Sequence, residues 1–469
     1  MSYQLVCGIE THIELATKTK IFCGCTTQFG GEPNTHCCPV CTGQPGALPI
    51  LNRQVIEFAV KAGLAVNCKI NNNSHMDRKN YVYPDLPKAY QISQFDEPLC
   101  VDGYVQLDSG KKIRIERIHI EEDAGKLVHD GGYTYVDYNR GGVPLIEIVS
   151  MADISSPEEA REYAEKLQLI MRNVGVSDCK MQEGSMRCDV NISIHQPGEP
   201  WGTRTEIKNI NSLSNIVRAM ELEMERQEDI LDAGEKIIQS TMRYDANSDT
   251  VYALRSKENA DDYRYFPEPD ILRFYVSPEK VEEIRATLPE LPDAKLKRYV
   301  EDMGLPENNA RLIYKYRNVT KFFDDAVNEG AGAGNVLNMI ISTVYAVLQT
   351  EEDKENFDIK ITSHQLAELV KLIDSKKIRA NKAKEVLAQM LESGKDVTEY
   401  IKAEDLAGLS DEDLKALCQG AIDANPKAVE DIKNGKDKAI NVMFGYVMKN
   451  SRGKADVKKA EEIIRELIK

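Results

Sequence analysis

The sequence predicts an α+β fold: a mixed α/β part up to residue 292, then an all-α part. Three observations carry this. Up to Leu291-Pro292, short alternating runs are broken by Gly, Pro and Asn. From Asp293 onward the pattern turns helical and rich in Ala, Lys, Glu and Leu. The chain's 469 residues exceed one ordinary core, which implies two or three domains. A second break at Ser393-Gly394-Lys395 sets the expected domains at 1–292, 293–400 and 401–469.

Hydrophobic residues make up 42% and charged residues 29%, an ordinary globular balance. No apolar run approaches the roughly 18 residues of a membrane span. Met1-Ser2-Tyr3-Gln4 has no basic n-region of a signal peptide, which points to the cytoplasm. The net charge of −16 does not draw the whole chain to nucleic acid, so such contact needs a local patch. From Lys433 to Lys469 ten Lys/Arg stand against five Asp/Glu. A solvated helix face is the alternative explanation of that run.

The first strand signal runs from Leu5 to Leu15 with period two. Leu5, Cys7, Ile9, Ile13 and Leu15 share one face; Glu10, His12 and Glu14 share the other, behind Val6 and Gly8. Alone, this polar face reads as solvated. A hairpin further on changes the balance. Met186, Cys188, Val190, Ile192 and Ile194 alternate with Arg187, Asp189, Asn191, Ser193 and His195. After a turn-rich loop, Thr203, Thr205 and Ile207 alternate with Arg204, Glu206 and Lys208. A turn centred on Pro197-Gly198 puts Asp189 opposite Glu206; a shift of two makes them diagonal neighbours. Facing like charges destabilise a sheet unless a cation lies between them. A third strand, from Ile113, ends in Glu121-Glu122-Asp123 before Ala-Gly-Lys126. Carboxylates with one His and waters suit Mg²⁺.

Two helices are well signalled. Ser156 to Glu159 reads as a capping box, with Pro157 at the first helical position and Gly175 at the end. The other starts at Asn211-Ser212, carries Leu213, Ile216, Val217 and Met220 on one face, and stops before Gly234. Gly330 to Gly334 reads as a loop between helices and not as a dinucleotide fingerprint.

Five of the eleven cysteines fall between Cys23 and Cys41. Cys23 and Cys25, then Cys38 and Cys41, form two close pairs, the arrangement of a closed structural zinc site. His36 and Cys37 offer substitute ligands, and small buried cysteines are the bland alternative. Asp77 to Gln94 is the densest polar-aromatic stretch, with Pro84 and Pro87 excluding a regular helix. Its Lys79, Lys88, Tyr81, Tyr83 and Tyr90 could stack on a base and hold phosphates. No G-x-x-x-x-G-K-[ST] string occurs, so any use of ATP needs another architecture.

Taken together these strings resemble the B subunits of bacterial tRNA-dependent amidotransferases. The resemblance rests on Gly8-Ile-Glu-Thr-His-Ile-Glu-Leu15, the Cys23 to Cys41 cluster, Asp77 to Gln94 and His119-Ile-Glu-Glu-Asp-Ala-Gly-Lys126. It continues through Asp137 to Val149, Glu183 to Asn191, Glu206 to Ser212 and Asp261 to Asp270, and covers essentially the whole chain. It implies a cradle-shaped α/β catalytic domain, a helical domain and a small tail. It also implies ATP-dependent phosphorylation of the side-chain carboxyl of Glu on tRNA(Gln) or Asp on tRNA(Asn). Ammonia from a separate amidase (glutaminase) partner then displaces phosphate, and a small third partner braces the resulting heterotrimer. By resemblance, Glu10, His12, Glu122, Asp189 and Glu206 hold Mg²⁺, with Glu121 the uncertain neighbour. Lys79 joins them in catalysis; Tyr81, Lys88 and Lys208 are implied at the nucleotide; Cys23, Cys25, Cys38 and Cys41 hold Zn²⁺. The basic tail is implied to touch tRNA. Two competing expectations are a zinc-stabilised tRNA-binding scaffold without chemistry and a Mg²⁺-dependent phosphohydrolase acting alone.

Overall fold

The computed structural model describes residues 3–256, 263–401, 411–433, 437–451, 455 and 457–468. Asp261 and Asp262 of the Asp261-to-Asp270 string, and Lys436, Arg452, Lys454 and Lys469 of the basic tail, lie outside the described residues.

From the N-terminus, β1 spans Gln4–Glu14 and helix α1 spans Arg53–Ala65. Short strands follow: β2 Lys69–Ile70, β3 Asn73–Ser74, β4 Asp77–Asn80 and β5 Tyr90–Ser93. Then come β6 Cys100–Gln106, β7 Lys112–Glu122, β8 Lys126–Asp130, β9 Tyr133–Asp137 and β10 Pro144–Ser150. Helix α2 (Pro157–Val174) precedes β11 (Met186–His195) and β12 (Thr205–Ile210). Helix α3 (Leu213–Asp232) precedes β13 (Ser240–Asp245), β14 (Thr250–Ser256), β15 (Phe266–Pro267) and β16 (Phe274–Tyr275). The chain divides after Lys295 into two units.

The first unit is built on one nine-stranded sheet in the order β14-β13-β12-β11-β1-β10-β7-β6-β2. Every neighbour pair is antiparallel except β12 with β13. A parallel pair needs a crossover, and α3 supplies it. In the middle of the sheet the expected alternation is realised. Leu5, Cys7, Ile9 and Ile13 of β1, Val190, Ile192 and Ile194 of β11, and Ile146 and Ile148 of β10 are buried in one core with α1, α2 and α3. Each buried aliphatic side chain contributes about 1.5–3 kcal/mol. The opposite face therefore receives the acids and histidines.

The register decides between the two expected alternatives. Glu206 lies opposite Asn191, two residues from Asp189, so Asp189 and Glu206 are diagonal neighbours and do not face each other. The β11–β12 ladder is irregular between Cys188 and Val190. Asp189 instead faces Glu10 across β1. The helix signals hold in position: Ser156 caps α2 through Glu159 N–H, and Gly175 ends it with φ 73°. The reciprocal half of that capping box is absent, because Glu159 Oε2 accepts from Ser155 N–H at 2.8 Å and Lys111 Nζ at 2.6 Å. Ser212 caps α3, whose buried stripe runs from Ile216 and Met220 on to Glu223 and Gln227. Thr205 Oγ1 donates to Glu223 at 2.7 Å and Gln227 Nε2 donates to Thr205 at 2.9 Å, while Gln227 Oε1 is buried with no hydrogen-bond partner among the described residues.

The second unit is helical throughout its described residues. Gly332, in the loop between helices Arg317–Asn328 and Ala333–Met339, donates its N–H to Asp374 at 2.7 Å. The tail packs its own core from Leu414, Cys418, Met443, Val447, Ile464 and neighbours. Among the described residues, no helix is long and apolar enough to cross a membrane.

Gly103 of β6 would place a Cβ 2.4 Å from Cys68 Sγ and 2.7 Å from Val66 O. Backbone cannot retreat as a flexible side chain can. Gly103→Ala is expected to cost about 1–3 kcal/mol, read as a lowered denaturation midpoint with unchanged m-value. An unchanged midpoint would contradict the packing described.

Candidate functional site

The polar face of the central strands gathers its groups through register. Arg187, His12, Glu147 and His119 form one row across β11, β1, β10 and β7, because His12 pairs with Arg187 and Glu147, and Glu147 pairs with His119. Two residues from His12 lies Glu10, directly opposite Asp189. Glu121 follows His119 by two and so shares its face.

Two clusters result. In the first, carboxylate oxygens of Glu10, Asp189 and Glu206 lie within 4.8 Å of one another. Lys208 Nζ bridges two of them, at 2.5 Å from Asp189 Oδ2 and 2.8 Å from Glu206 Oε1. Glu10 accepts a neutral donor there, Asn191 Nδ2 at 2.9 Å. Burial raises the pKa of Glu10, and the charges of Glu147, Glu206 and Asp189 raise it further. In the second cluster, His12, Glu121 and Glu147 converge. His12 Nε2 is 3.5 Å from each carboxylate, and His119 Nε2 is 3.2 Å from Glu147 Oε2 and 3.6 Å from Glu121 Oε2. Burial alone would lower both imidazole pKa values. The hydrogen bond and charge of Glu147, with Glu121, outweigh it, raising His12 to about 8 and His119 to about 9. The same contacts hold Glu147 well below the usual carboxylate range despite burial.

The sequence-expected ligands therefore divide. Glu10, Asp189 and Glu206 meet one another; His12 meets Glu121. Glu122 is not with either group, because adjacent strand residues point to opposite faces. It pairs with Lys88 Nζ at 2.7 Å and accepts the Ile92 N–H at 2.9 Å. Of the two neighbours proposed for the metal, Glu121 lies with the clustered carboxylates and Glu122 does not. This also separates Lys88 from Lys79. Lys88 and Glu122 line a cavity of about 190 Å³ beside Cys23 and Cys41. Lys79 of β4 lies over the Tyr263 ring at 4.8 Å and near Tyr81 at 5.9 Å. Burial lowers its pKa, but the charges of Glu121 and Glu147 prevail and hold it above the ordinary range. Tyr81 and Tyr263 meet edge to face, and Phe95 stacks on Tyr265 at 4.3 Å. Tyr83 is exposed, and Tyr90 lies under the Arg78 guanidinium at 4.2 Å.

Sequence reasoning missed His119 and Glu147 as site residues. The structure shows Glu147 as one carboxylate inside the fully buried run Pro144–Ser150. Such a burial is costly unless the charge is paired or coordinated. The carboxylate-rich donor sets fit Mg²⁺, which prefers oxygen ligands. Glu10 in particular faces two carboxylates with an amide as its hydrogen-bond donor.

The cysteines fit zinc. The four Sγ atoms of Cys23, Cys25, Cys38 and Cys41 lie within 4.8 Å of one another. A tetrahedral site with Zn–S bonds of ~2.3 Å has edges of about 3.8 Å, and Cys38 and Cys41 Sγ are 4.0 Å apart. Hydrogen bonds from the Cys23 thiol and the Cys38 N–H, with Lys20 Nζ 3.7 Å away, lower the pKa of Cys41 against burial. Cys37 turns away, donating to Asn34 O at 3.1 Å, and does not join the set. Cys41→Ser is expected to lose stoichiometric zinc in a metal assay and lower Tm, whereas Cys37→Ser keeps the metal. Zinc loss in Cys37→Ser alone would reverse the assignment.

Comparisons with known proteins follow the same division of the chain. A family model described as the GatB/GatE catalytic domain matches residues 5–282, and one described as the GatB domain matches residues 321–468. The chain is 49% identical to the B subunit of the aspartyl/glutamyl-tRNA(Asn/Gln) amidotransferase of Caldicellulosiruptor saccharolyticus, covering 99% of each chain. It is 50% identical to the B subunit of the same name in Lachnoclostridium phytofermentans, covering 99% of each. For the corresponding Bacillus velezensis protein the identity is 47%, with 100% of each covered.

Proposed function

This chain belongs to the GatB/GatE family of tRNA-dependent amidotransferase B subunits, and from that premise we propose that its sheet face carries an ATP-dependent phosphorylation and amidation centre. The observation that supports this most is the convergence of Glu10, Asp189 and Glu206 beside His12, Glu121 and Glu147 on one face. The substrate is Glu on tRNA(Gln), Asp on tRNA(Asn), or both, as the names of the relatives suggest.

In the first step a side-chain carboxylate oxygen of the aminoacyl-tRNA attacks the γ-phosphorus of ATP. The bond from that phosphorus to the β–γ bridging oxygen breaks, and ADP leaves. In the second step ammonia attacks the acyl carbon. The carbon–oxygen bond to phosphate breaks, phosphate leaves, and nitrogen sheds a proton to give the amide. Both steps gather negative charge, and positioning with charge neutralisation dominates phosphoryl transfer. Magnesium bound by the carboxylates would neutralise phosphate oxygens and hold them in line. Glu10, Asp189 and Glu206 are the oxygen donors for it, with Lys208 sharing the neutralisation. Glu121 and Glu147 are the second acidic pair, oriented by His12 and His119. His12 serves as a ligand only after losing its proton. Lys79, kept cationic by Glu121 and Glu147, supplies positive charge close to the same carboxylates. Tyr81, beside Lys79, is assigned to the nucleotide and the ammonia path around it, whereas Lys88 is committed to Glu122 beside the cysteine cluster.

Ammonia would come from a separate amidase partner, with a small third chain completing the heterotrimer. The basic tail would contact the tRNA through phosphates, which orient without reading sequence. Zinc at the four cysteines would stabilise the fold and take no part in the chemistry. The cytoplasm, where aminoacyl-tRNA is used, is the location this function requires.

The test is ATP-dependent conversion of Glu-tRNA(Gln) to Gln-tRNA(Gln) by the reconstituted assembly, with ammonium as nitrogen donor. His12→Ala and Glu206→Ala should each lower the rate by about 100-fold, the upper range for disturbing a metal site, with tRNA binding retained. Full activity in both variants would sink this reading and favour a scaffold role.

A further inference from the structure

Lys20 is fully buried, at 0% exposure, yet it makes no ion pair with a carboxylate among the described residues. A buried ammonium is costly unless an anion answers it. Lys166 shows the ordinary solution: its ammonium lies 2.8 Å from Asp108 and 3.2 Å from Asp293. Lys20 has no such acid. Glu122, which lines the same cavity, is committed to Lys88 at 2.7 Å. Lys20 Nζ instead lies 3.7 Å from Cys41 Sγ and donates to Tyr138 O at 3.2 Å.

The backbone of the same residue holds the other cysteine pair. Lys20 N–H donates to Cys25 O at 2.9 Å, and Thr19 forms a bridge with Thr26. Lys20 thus touches both halves of the cysteine set, the first through its main chain and the second through its side chain. Its bond to Tyr138 reaches a loop that the cysteine segment also grips. Tyr138 N–H donates to Asn34 Oδ1 at 2.8 Å, and His36 N–H donates to Asn139 Oδ1 at 2.8 Å. Asn34 and His36 both lie between the two cysteine pairs. From the other side, Ile21 N–H donates to Gly142 O at 3.0 Å. Two residues further on begins β10, the strand that carries Glu147.

We propose that Lys20 is the counter-ion of the cysteine site, a positioning residue that raises its affinity for zinc and ties the loaded site to the loop that opens β10. The inference rests on the zinc assignment. Four thiolates around a divalent zinc leave a net double negative charge. In a partly buried site such a charge needs a cation close by. An ammonium within N–H···S reach supplies it, and outer-shell partners of this kind change metal affinity by about 10–100-fold. A buried lysine that served packing alone would send its head to solvent or to a carboxylate.

The test measures the zinc affinity of the full chain by competition with a chromophoric chelator. Lys20→Met keeps the aliphatic stem and removes the ammonium, and it is expected to weaken zinc by about 10–100-fold. Affinity within about threefold of wild type, below the range of an outer-shell partner, would overturn the proposal. Thermal unfolding of a double-mutant cycle separates charge from packing. With zinc bound, Lys20→Met lowers Tm. In Cys41→Ser, which lacks the anion that answers Lys20, the same change raises Tm, because it removes a buried cation without a partner. An equal fall in both backgrounds would mean that Lys20 acts through packing and the Tyr138 bond, and the counter-ion role would be lost. Should Lys20→Met alone not fold, Cys41→Ser compared with Cys41→Ser/Lys20→Met still decides. A higher Tm in the double variant supports the counter-ion; an equal or lower one removes it. Absence of zinc from the wild-type chain would overturn the zinc assignment itself, a failure distinct from equal zinc binding by wild type and Lys20→Met.

Discussion

The pleat of β1 constrains everything else in the first unit. Its eleven residues Gln4–Glu14 place Cys7, Ile9 and Ile13 in the core. The same geometry forces Glu10 and His12 onto the other side, where no hydrophobic partner compensates them. β1 is also central, flanked by β10 and β11. Its two ladders bring Glu147 to His12 from one side and Asp189 to Glu10 from the other. A one-residue slip in either ladder would exchange these groups for buried aliphatics. The hydrophobic core on one face thus fixes the position of the acids on the other.

Charge compensation then organises the site. Glu147 and Glu121 are nearly buried carboxylates, and each is answered by the imidazoles of His12 and His119. Asp189 and Glu206 are answered by the Lys208 ammonium. Glu10 takes its hydrogen bond from an amide; burial first, and then the charges of Glu147, Glu206 and Asp189, raise its pKa against the lowering charge of Lys208. Away from this face, Glu122 and Lys88 neutralise each other against the zinc-type knuckle. The alternation of β7 separates Glu121 and Glu122 into different environments one residue apart.

Much of this was legible in the sequence. Period-two runs revealed β1 and β11, and Ser156, Pro157 and Gly175 marked the ends of α2 within a residue. The Cys pairs are close enough in sequence for spacing alone to suggest their meeting. Three things were not legible. The β11–β12 register depends on a ladder irregularity near Asp189, which loop length does not reveal. The choice between Glu121 and Glu122 needed the parity of His119, which pairing with β10 sets. Glu147 sits in an otherwise apolar strand, and its partners come from other strands of the sheet. Long-range pairing, not local pattern, decides such neighbours.

The central claim is that one sheet face, and not the Glu122 side of β7, binds the divalent cation. Equilibrium binding of Mn²⁺ as a paramagnetic stand-in for Mg²⁺ tests it directly on the full chain. Glu10→Gln and Glu147→Gln are expected to weaken or abolish bound Mn²⁺, while Glu122→Gln leaves it unchanged. Binding lost in Glu122→Gln and retained in the other two would contradict the claim.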